Sequence, residues 1–157
     1  MRHAKFFPLL IVVLTGCAQS DQLAAAPSTG PQIALSITSR SATTENVDGI
    51  FTVTLDDVSP EVLMYINGDL QASNDVVSLE RVVAEWSSLV EGSVANATLL
   101  TSQPSIGSFE QVAAFEMGGL SYSSAEGELT FSATLSEGSL EPKLKYVSVN
   151  VELPSAP

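Results

Sequence analysis

The side chains that run most enzyme chemistry crowd into the start of this sequence. His3 is the only histidine and Cys17 the only cysteine of 157 residues. Arg2 and Lys5 stand beside them. Further on, only Arg40, Arg81, Lys143 and Lys145 remain as cations, against 18 Asp+Glu. A Ser-His-Asp triad needs an imidazole as its base. A cysteine nucleophile needs a free thiolate. Zinc and copper sites are built mainly from His and Cys. A chain that loses residues 1–16 and has Cys17 blocked can assemble none of these. Nucleic-acid binding needs a basic footprint, and this chain carries a formal net charge of -12. No Walker loop or dinucleotide fingerprint is present, and no cofactor is expected.

Three chemistries survive that exclusion. The first is a carboxylate pair of the kind that cleaves glycosidic bonds. Asp56, Asp57 and Glu61 are its candidates, grouped at the corner around Pro60. An acidic corner beside a strand end is more often simply solvated, or serves as an interaction corner. The second is calcium binding by oxygen ligands. Asn67-Gly68-Asp69 and Asn74-Asp75 make an acidic loop segment, with Asp69 and Asp75 as the carboxylates. The segment fails the EF-hand pattern, because Ala72 and Ser78 occupy the positions that should hold Gly and Glu. The third is a Ser-Lys dyad using Lys143 or Lys145. Solvated lysines that discourage sheet-to-sheet pairing are the better reading of that pair.

Arg2, His3 and Lys5 give a short positive start, and Phe6 to Leu14 is apolar apart from Pro8. That run is too short to cross a bilayer as a helix, which takes about 20 residues. Together they read as a signal peptide over 1–16. The run ends in Leu14-Thr15-Gly16-Cys17, which resembles the lipobox of bacterial lipoproteins. That resemblance implies cleavage before Cys17 and diacylglycerol on its sulfur. The next residue is Ala18 rather than Asp. By the sorting rules of Gram-negative bacteria, this favours the outer membrane. One acyl chain anchors a protein only marginally, whereas two or more anchor it stably. Residues 17–31 are then the lipidated Cys and a flexible tether, small and polar with Pro27 and Pro31. Residues 32–154 form one domain, and 155–157 a loose tail.

Within that domain the pattern is mostly period two, the mark of half-buried strands. Ile33, Leu35 and Ile37 alternate with Ala34 and Ser36. Phe51, Val53 and Leu55 alternate with threonines. Leu129, Phe131, Ala133 and Leu135 follow the same rule, as do Val147, Val149, Val151 and Leu153. Further short strands are expected at 62–66, 97–102 and 111–117. Turn signals separate them at Asp48-Gly49, Ser59-Pro60, Asn67-Gly68, Gly118-Gly119, Glu126-Gly127 and Glu137-Gly138. One segment departs from the pattern. Leu79, Val82, Val83, Trp86, Leu89 and Val90 fall on one helical face, with Ser78 as N-cap and Gly92 as stop. That predicts one amphipathic helix over about 78–91, with Trp86 packed on a sheet.

The expected fold is mainly β: an antiparallel sandwich or open barrel of about seven or eight short strands with that helix. No disulfide is possible within the chain, so folding rests on a hydrophobic core. A domain of this size can bury about two thirds of its unfolded surface.

The run Phe51-Thr-Val-Thr-Leu-Asp-Asp-Val-Ser-Pro-Glu-Val-Leu-Met-Tyr65 is followed by Leu79-Glu-Arg-Val-Val-Ala-Glu-Trp86 and Asn96-Ala-Thr-Leu99. Then come Gly127-Glu-Leu-Thr-Phe-Ser-Ala-Thr-Leu135 and the closing strand. This order resembles a family of small secreted or lipid-anchored microbial proteins of unknown function, over about residues 33–153. The resemblance implies a fold and a location, and no activity. Members often carry an Asp-Arg-Pro-x-Arg-like loop after the Val-Ser-Pro strand. Here that region reads Ile66-Asn-Gly-Asp-Leu-Gln-Ala72, without Arg or Pro.

The function expected from these readings is a membrane-anchored envelope lipoprotein with a non-enzymatic binding or interaction module. Its partner would be an envelope protein or polysaccharide, with no nucleic acid. The membrane would be touched through the lipid alone. The acidic surface would hold the domain off anionic headgroups within about a Debye length, 8–10 Å. A carboxylate-dependent enzyme acting on envelope glycan, and a calcium-stabilised adhesion-type module, are the alternatives. The anchor is testable directly. Cys17→Ala is expected to move the protein from the membrane fraction into the soluble fraction of lysed cells. Full membrane association of that variant would remove the anchor.

Overall fold

The computed structural model describes residues 33–66, 74–90, 94–103 and 108–153. The lipobox, the tether, Asn67-Gly68-Asp69 and the Gly92 helix stop lie outside the described residues. In chain order the elements are β1 (Ile33–Val47), β2 (Ile50–Val58), β3 (Glu61–Ile66), β4 (Asn74–Ser78), α1 (Leu79–Val90), β5 (Ala95–Gln103), β6 (Ser108–Ser123), β7 (Glu128–Gly138) and β8 (Lys143–Glu152). The fold is mostly antiparallel β with a single short helix, as the period-two pattern predicts.

All eight strands belong to one sheet, in the order β2-β7-β6-β5-β8-β1-β3-β4, and β2 also pairs with β1. The sheet therefore returns on itself. It is not a clean barrel, because β1 divides one of its edges between two partners. Ser39 to Val47 pair with β2, while Ile33 to Ser36 pair with β3. On its other edge β1 pairs with β8 from Ala34 to Thr43.

The fork between β2 and β3 sits at the predicted Ser59-Pro60 corner. Ser59 to Val62 oppose only Ile37 and Thr38 of β1. The corner still satisfies its backbone. The Val58 amide donates to the Gly127 carbonyl at 2.9 Å, and the Ser59 amide to the Thr38 carbonyl at 2.9 Å. The Leu79 amide donates to the Pro60 carbonyl at 2.8 Å. Pro60 has no amide to satisfy, so a break in the ladder costs least there. Beyond the corner the two halves part. The far edge of β2 pairs with β7, and that of β3 with β4.

The alternating residues fill the interior. Leu35, Ile37, Val53, Leu55, Leu129, Phe131, Val149 and Val151 are all buried in one hydrophobic cluster. Phe115 of β6 and Phe131 of β7 stack at its centre, ring centroids 5.8 Å apart. The helix adds Leu79, Val82, Trp86 and Val90 to the same cluster. Trp86 is core packing, set against β6 beside Met117 and Leu120. Ser78 caps the helix as expected, its Oγ accepting from the Arg81 amide at 3.3 Å.

Three sequence expectations are corrected. The strands are not all short: β1 runs for 15 residues and β6 for 16. Gly118-Gly119 does not reverse the chain. Gly119 takes a positive φ of 61°, and β6 passes through as a bulge opposite β7. The Ser132 hydroxyl donates to the Gly118 carbonyl at 2.9 Å and holds that bulge. Third, Asn74-Asp75 is not loop but the start of β4, where Val76 and Val77 pair with Leu63 and Val62. Two β-branched residues facing a strand favour extension over a ligand-binding turn.

The Asp48-Gly49 turn holds as read. Val47 pairs with Ile50, and both turn residues have positive φ, 53° and 88°. That is the two-residue hairpin geometry favoured by Asp-Gly.

Gly138 is the tightest glycine. Its φ is 80°, and an added Cβ would lie 2.1 Å from the Val112 carbonyl oxygen. Gly138→Ala is expected to cost at least about 2 kcal/mol in denaturant titration. Phe131→Ala is expected to cost about 3–5 kcal/mol, because it empties the stacked centre. Unchanged midpoints would refute this account of the core.

Candidate functional site

The acidic corner is built on a backbone irregularity. Asp57 has a φ of 51° and Tyr146 of β8 a φ of 50°, and both are non-glycine residues in the left-handed region. They flank Arg40. Ser39↔Val58 and Ser41↔Asp56 bracket one side, and Ser39↔Val147 and Ser41↔Lys145 the other. A single left-handed residue turns a strand over, so the buried positions change parity there. In β2 they run Val53, Leu55, then Val58. In β1 the buried apolar residues run Leu35, Ile37, then Ala42, with Ser36 and Ser39 buried as well.

Each carboxylate of the corner has a local, open role. The Asp57 carboxylate faces Arg40 across 3.5 Å, with both side chains largely in water. A pair this exposed contributes at most about 1 kcal/mol. Asp56 accepts a hydrogen bond from the Ser41 hydroxyl at 3.3 Å. Glu61 is exposed where β3 begins, and its backbone closes a small turn with the Ser59 hydroxyl. None of the three lines the clefts described below. The corner sits on the backbone irregularity, away from these clefts. Lys143 and Lys145 are exposed on β8.

Of the calcium candidates, Asp75 stands in β4, paired with Met64, while Asp69 lies outside the described residues. Among the described residues no three His, Cys, Asp or Glu side chains form a group that could hold a metal ion.

The structure places a cleft elsewhere, where the sequence alone gave no signal. It encloses about 460 Å³ between α1, the β3–β4 ribbon and the two ends of the described chain. Ile33, Leu35, Met64, Val77, Leu89 and Leu153 give it apolar walls. Asp75, Arg81 and Glu85 stand at its polar side. Arg81 Nε donates to Glu85 Oε1 at 3.1 Å, one turn along the helix. Asp75 is exposed and makes no such pair among the described residues. The first and last strands meet at this cleft, where the Leu153 amide donates to the Ile33 carbonyl at 2.9 Å. Its volume falls in the range of ligand pockets and its lining is largely apolar, though it is about half open to solvent.

A second cleft of about 500 Å³ crosses the outer face of the sheet. Tyr65, Asn96, Thr98, Asn150 and Glu152 line it. Beneath it the buried hydroxyls of Ser36 and Ser148 share a hydrogen bond at 3.2 Å. Ser148 in turn donates to Asn150 Oδ1 at 3.5 Å. A third hollow, between Trp86 of α1 and Met117 to Leu120 of β6, is the seam of helix and sheet.

The backbone reading of Asp57 can be separated from a charge reading. Asp57→Gly and Asp57→Asn are expected to stay within about 1 kcal/mol of the parent, since both tolerate positive φ. Asp57→Val is expected to lose about 1–2 kcal/mol more. Equal losses for all three, read from urea midpoints, would show that the charge rather than the conformation matters.

No helix among the described residues is long and apolar enough to cross a membrane. Comparison with protein families, with curated proteins and with solved structures finds no match to this chain.

Proposed function

We propose that this protein is a lipid-anchored component of the bacterial envelope whose domain binds a partner rather than transforming one. The anchor rests on the lipobox at Leu14–Cys17, and the outer-membrane placement in a Gram-negative cell on Ala18. The observation that carries the binding role is the apolar cleft between α1 and the β3–β4 ribbon. It offers walls of Met64, Val77 and Leu89, and no nucleophile–base combination. Asp75 and Glu85 stand on its polar side, but both are open to water and Glu85 is tied to Arg81. Glycosidic acid–base work needs two carboxylates whose surroundings set them apart. Here both carboxylates are open to water and Glu85 is engaged by Arg81, so the apolar walls make binding the better reading.

The second cleft supports a polysaccharide as the alternative partner. Amides, a hydroxyl, a carboxylate and a tyrosine across adjacent strands suit a hydroxylated ligand.

Crosslinking of the full chain in cells, with mass spectrometry of what is captured, tests the proposal. A dominant envelope partner is expected. It should be lost on Leu89→Lys, which sets a charge in the cleft wall, and kept when Asp56, Asp57 and Glu61 are neutralised. Thermal melting of each variant checks that it is folded. No reproducible partner would overturn the binding role, and a chelator that lowers the melting temperature would move weight to the calcium module.

A further inference from the structure

Strand β4 ends the sheet. It pairs with β3 on one edge, and no described strand pairs with the other. Three consecutive residues of this strand, Asp75, Val76 and Val77, all line the apolar cleft. The cleft extends from the ends of β1 and β8 across β3 to β4, with Arg81, Glu85 and Leu89 of α1 on its far wall, so it reaches the strand whose outer edge no described strand uses. A groove between an edge strand and a helix is the setting in which an extended peptide adds to a sheet. Main-chain hydrogen bonds then give affinity, and pockets for alternate side chains give selectivity.

Sequence and charge say which peptide. The outer face at this edge is apolar. Leu63 and Val76 face each other across β3 and β4 and are 43% and 56% exposed. The inner face pairs apolar walls with Asp75, whose carboxylate lacks an ion-pair partner among the described residues. An inward-pointing charge is one of the devices by which proteins keep edge strands from self-association. Here it discriminates by sign. A second copy of this acidic chain would bring further carboxylates to the edge. A strand with a cation at the matching position would neutralise Asp75 instead.

We propose that the free edge of β4 captures an extended, basic segment of another protein as a ninth strand. Apolar residues of that segment would enter the cleft beside Met64 and Leu89, and a Lys or Arg would face Asp75. This rests on the binding role proposed above and names its partner class.

The probe is a blocked eight-residue peptide of alternating valine and lysine, titrated onto the purified full chain by fluorescence anisotropy. Amide hydrogen exchange reads out Asn74–Ser78. Binding with slowed exchange in that strand is expected. A valine–glutamate peptide of equal length should bind at least roughly tenfold more weakly, because its charge meets an acidic edge. A valine–lysine peptide N-methylated along one edge should fail to bind, since it cannot complete the ladder. Asp75→Asn should weaken binding and flatten its salt dependence. That variant alters one exposed side chain, and its melting temperature checks the fold.

Equal binding of the methylated peptide would overturn strand addition. Equal binding of the glutamate peptide would overturn the charge selection. A dimer of the chain protected at Asn74–Ser78 would assign the edge to a second copy, and overturns the proposal too. The two readings fail separately. An envelope partner captured in cells without peptide binding at β4 sinks strand addition and leaves the binding role standing. Loss of both removes both.

Discussion

The constraint on which this structure turns is the hydrogen-bonding capacity of β1. A strand has two edges, and each backbone group can be paired once in a ladder. One edge of β1 is taken by β8. The other must serve β2 and β3 in succession. Since β2 and β3 follow each other in the chain with only Ser59-Pro60 between them, they form what is nearly one long strand broken at a corner. The break lets the two halves turn apart. β2 swings toward β7 and closes the circuit β1-β2-β7-β6-β5-β8, while β3 carries β4 away from it. The helix follows β4 at once, and packs Trp86 back onto β6. The cleft between helix and ribbon is the space this branching leaves.

Closure of the sheet also accounts for the irregular residues. A sheet that bends over on itself must change direction within its strands, and here it does so on one line across β2, β1 and β8. Asp57 and Tyr146 take left-handed backbone on either side of Arg40, at a cost of about 1–2 kcal/mol each. Buried side chains on both sides of that line repay the cost: Leu35 and Ile37 before it, Ala42 after it. Bulges at Gly119 in β6 and the left-handed Gly138 ending β7 adjust the opposite wall. Asp is among the few residues besides glycine that tolerate left-handed backbone, and Arg40 lies within reach of the Asp57 carboxylate.

How far the sequence foretells this depends on whether a signal is local. Val147, Val149 and Val151 alternate because their face of β8 packs into the hydrophobic core, and that alternation is visible without any partner. The helix is equally legible, since Leu79, Val82, Trp86 and Val90 repeat at helical spacing behind a Ser cap. The length of β6 is not, because a Gly-Gly pair signals a turn and a bulge alike until Ser132 is known to face it. β4 was hidden for another reason. Five residues containing Asn and Asp look like loop, and only Leu63 and Val62 opposite them make Val76 and Val77 a strand. The cleft was least legible of all. Ile33, Met64, Leu89 and Leu153 are scattered along the chain, and long-range pairing alone brings them to one place.

The acidic excess then takes on a structural meaning. An unpaired edge beside an apolar groove is an aggregation hazard in any sheet protein, and shortness and charge are common defences. β4 has both, with five residues and Asp75 on its inner face. Yet its flank is not made polar, for Val76 and Leu63 stay open to water. A surface selected only for solubility would more simply place Lys or Thr at those two positions. On the proposal above, the apolar flank and Asp75 would disfavour like-charged strands and leave an edge that no described strand uses open to a cationic one. Electrostatics of this kind sets which partners approach, and how fast, more than how tightly they are held. Tightness would come from the ladder and from Met64, Val77 and Leu89 losing contact with water. On the proposal above, the carboxylate that would disfavour pairing with a second copy is the same one that would let the edge recognise a cationic strand.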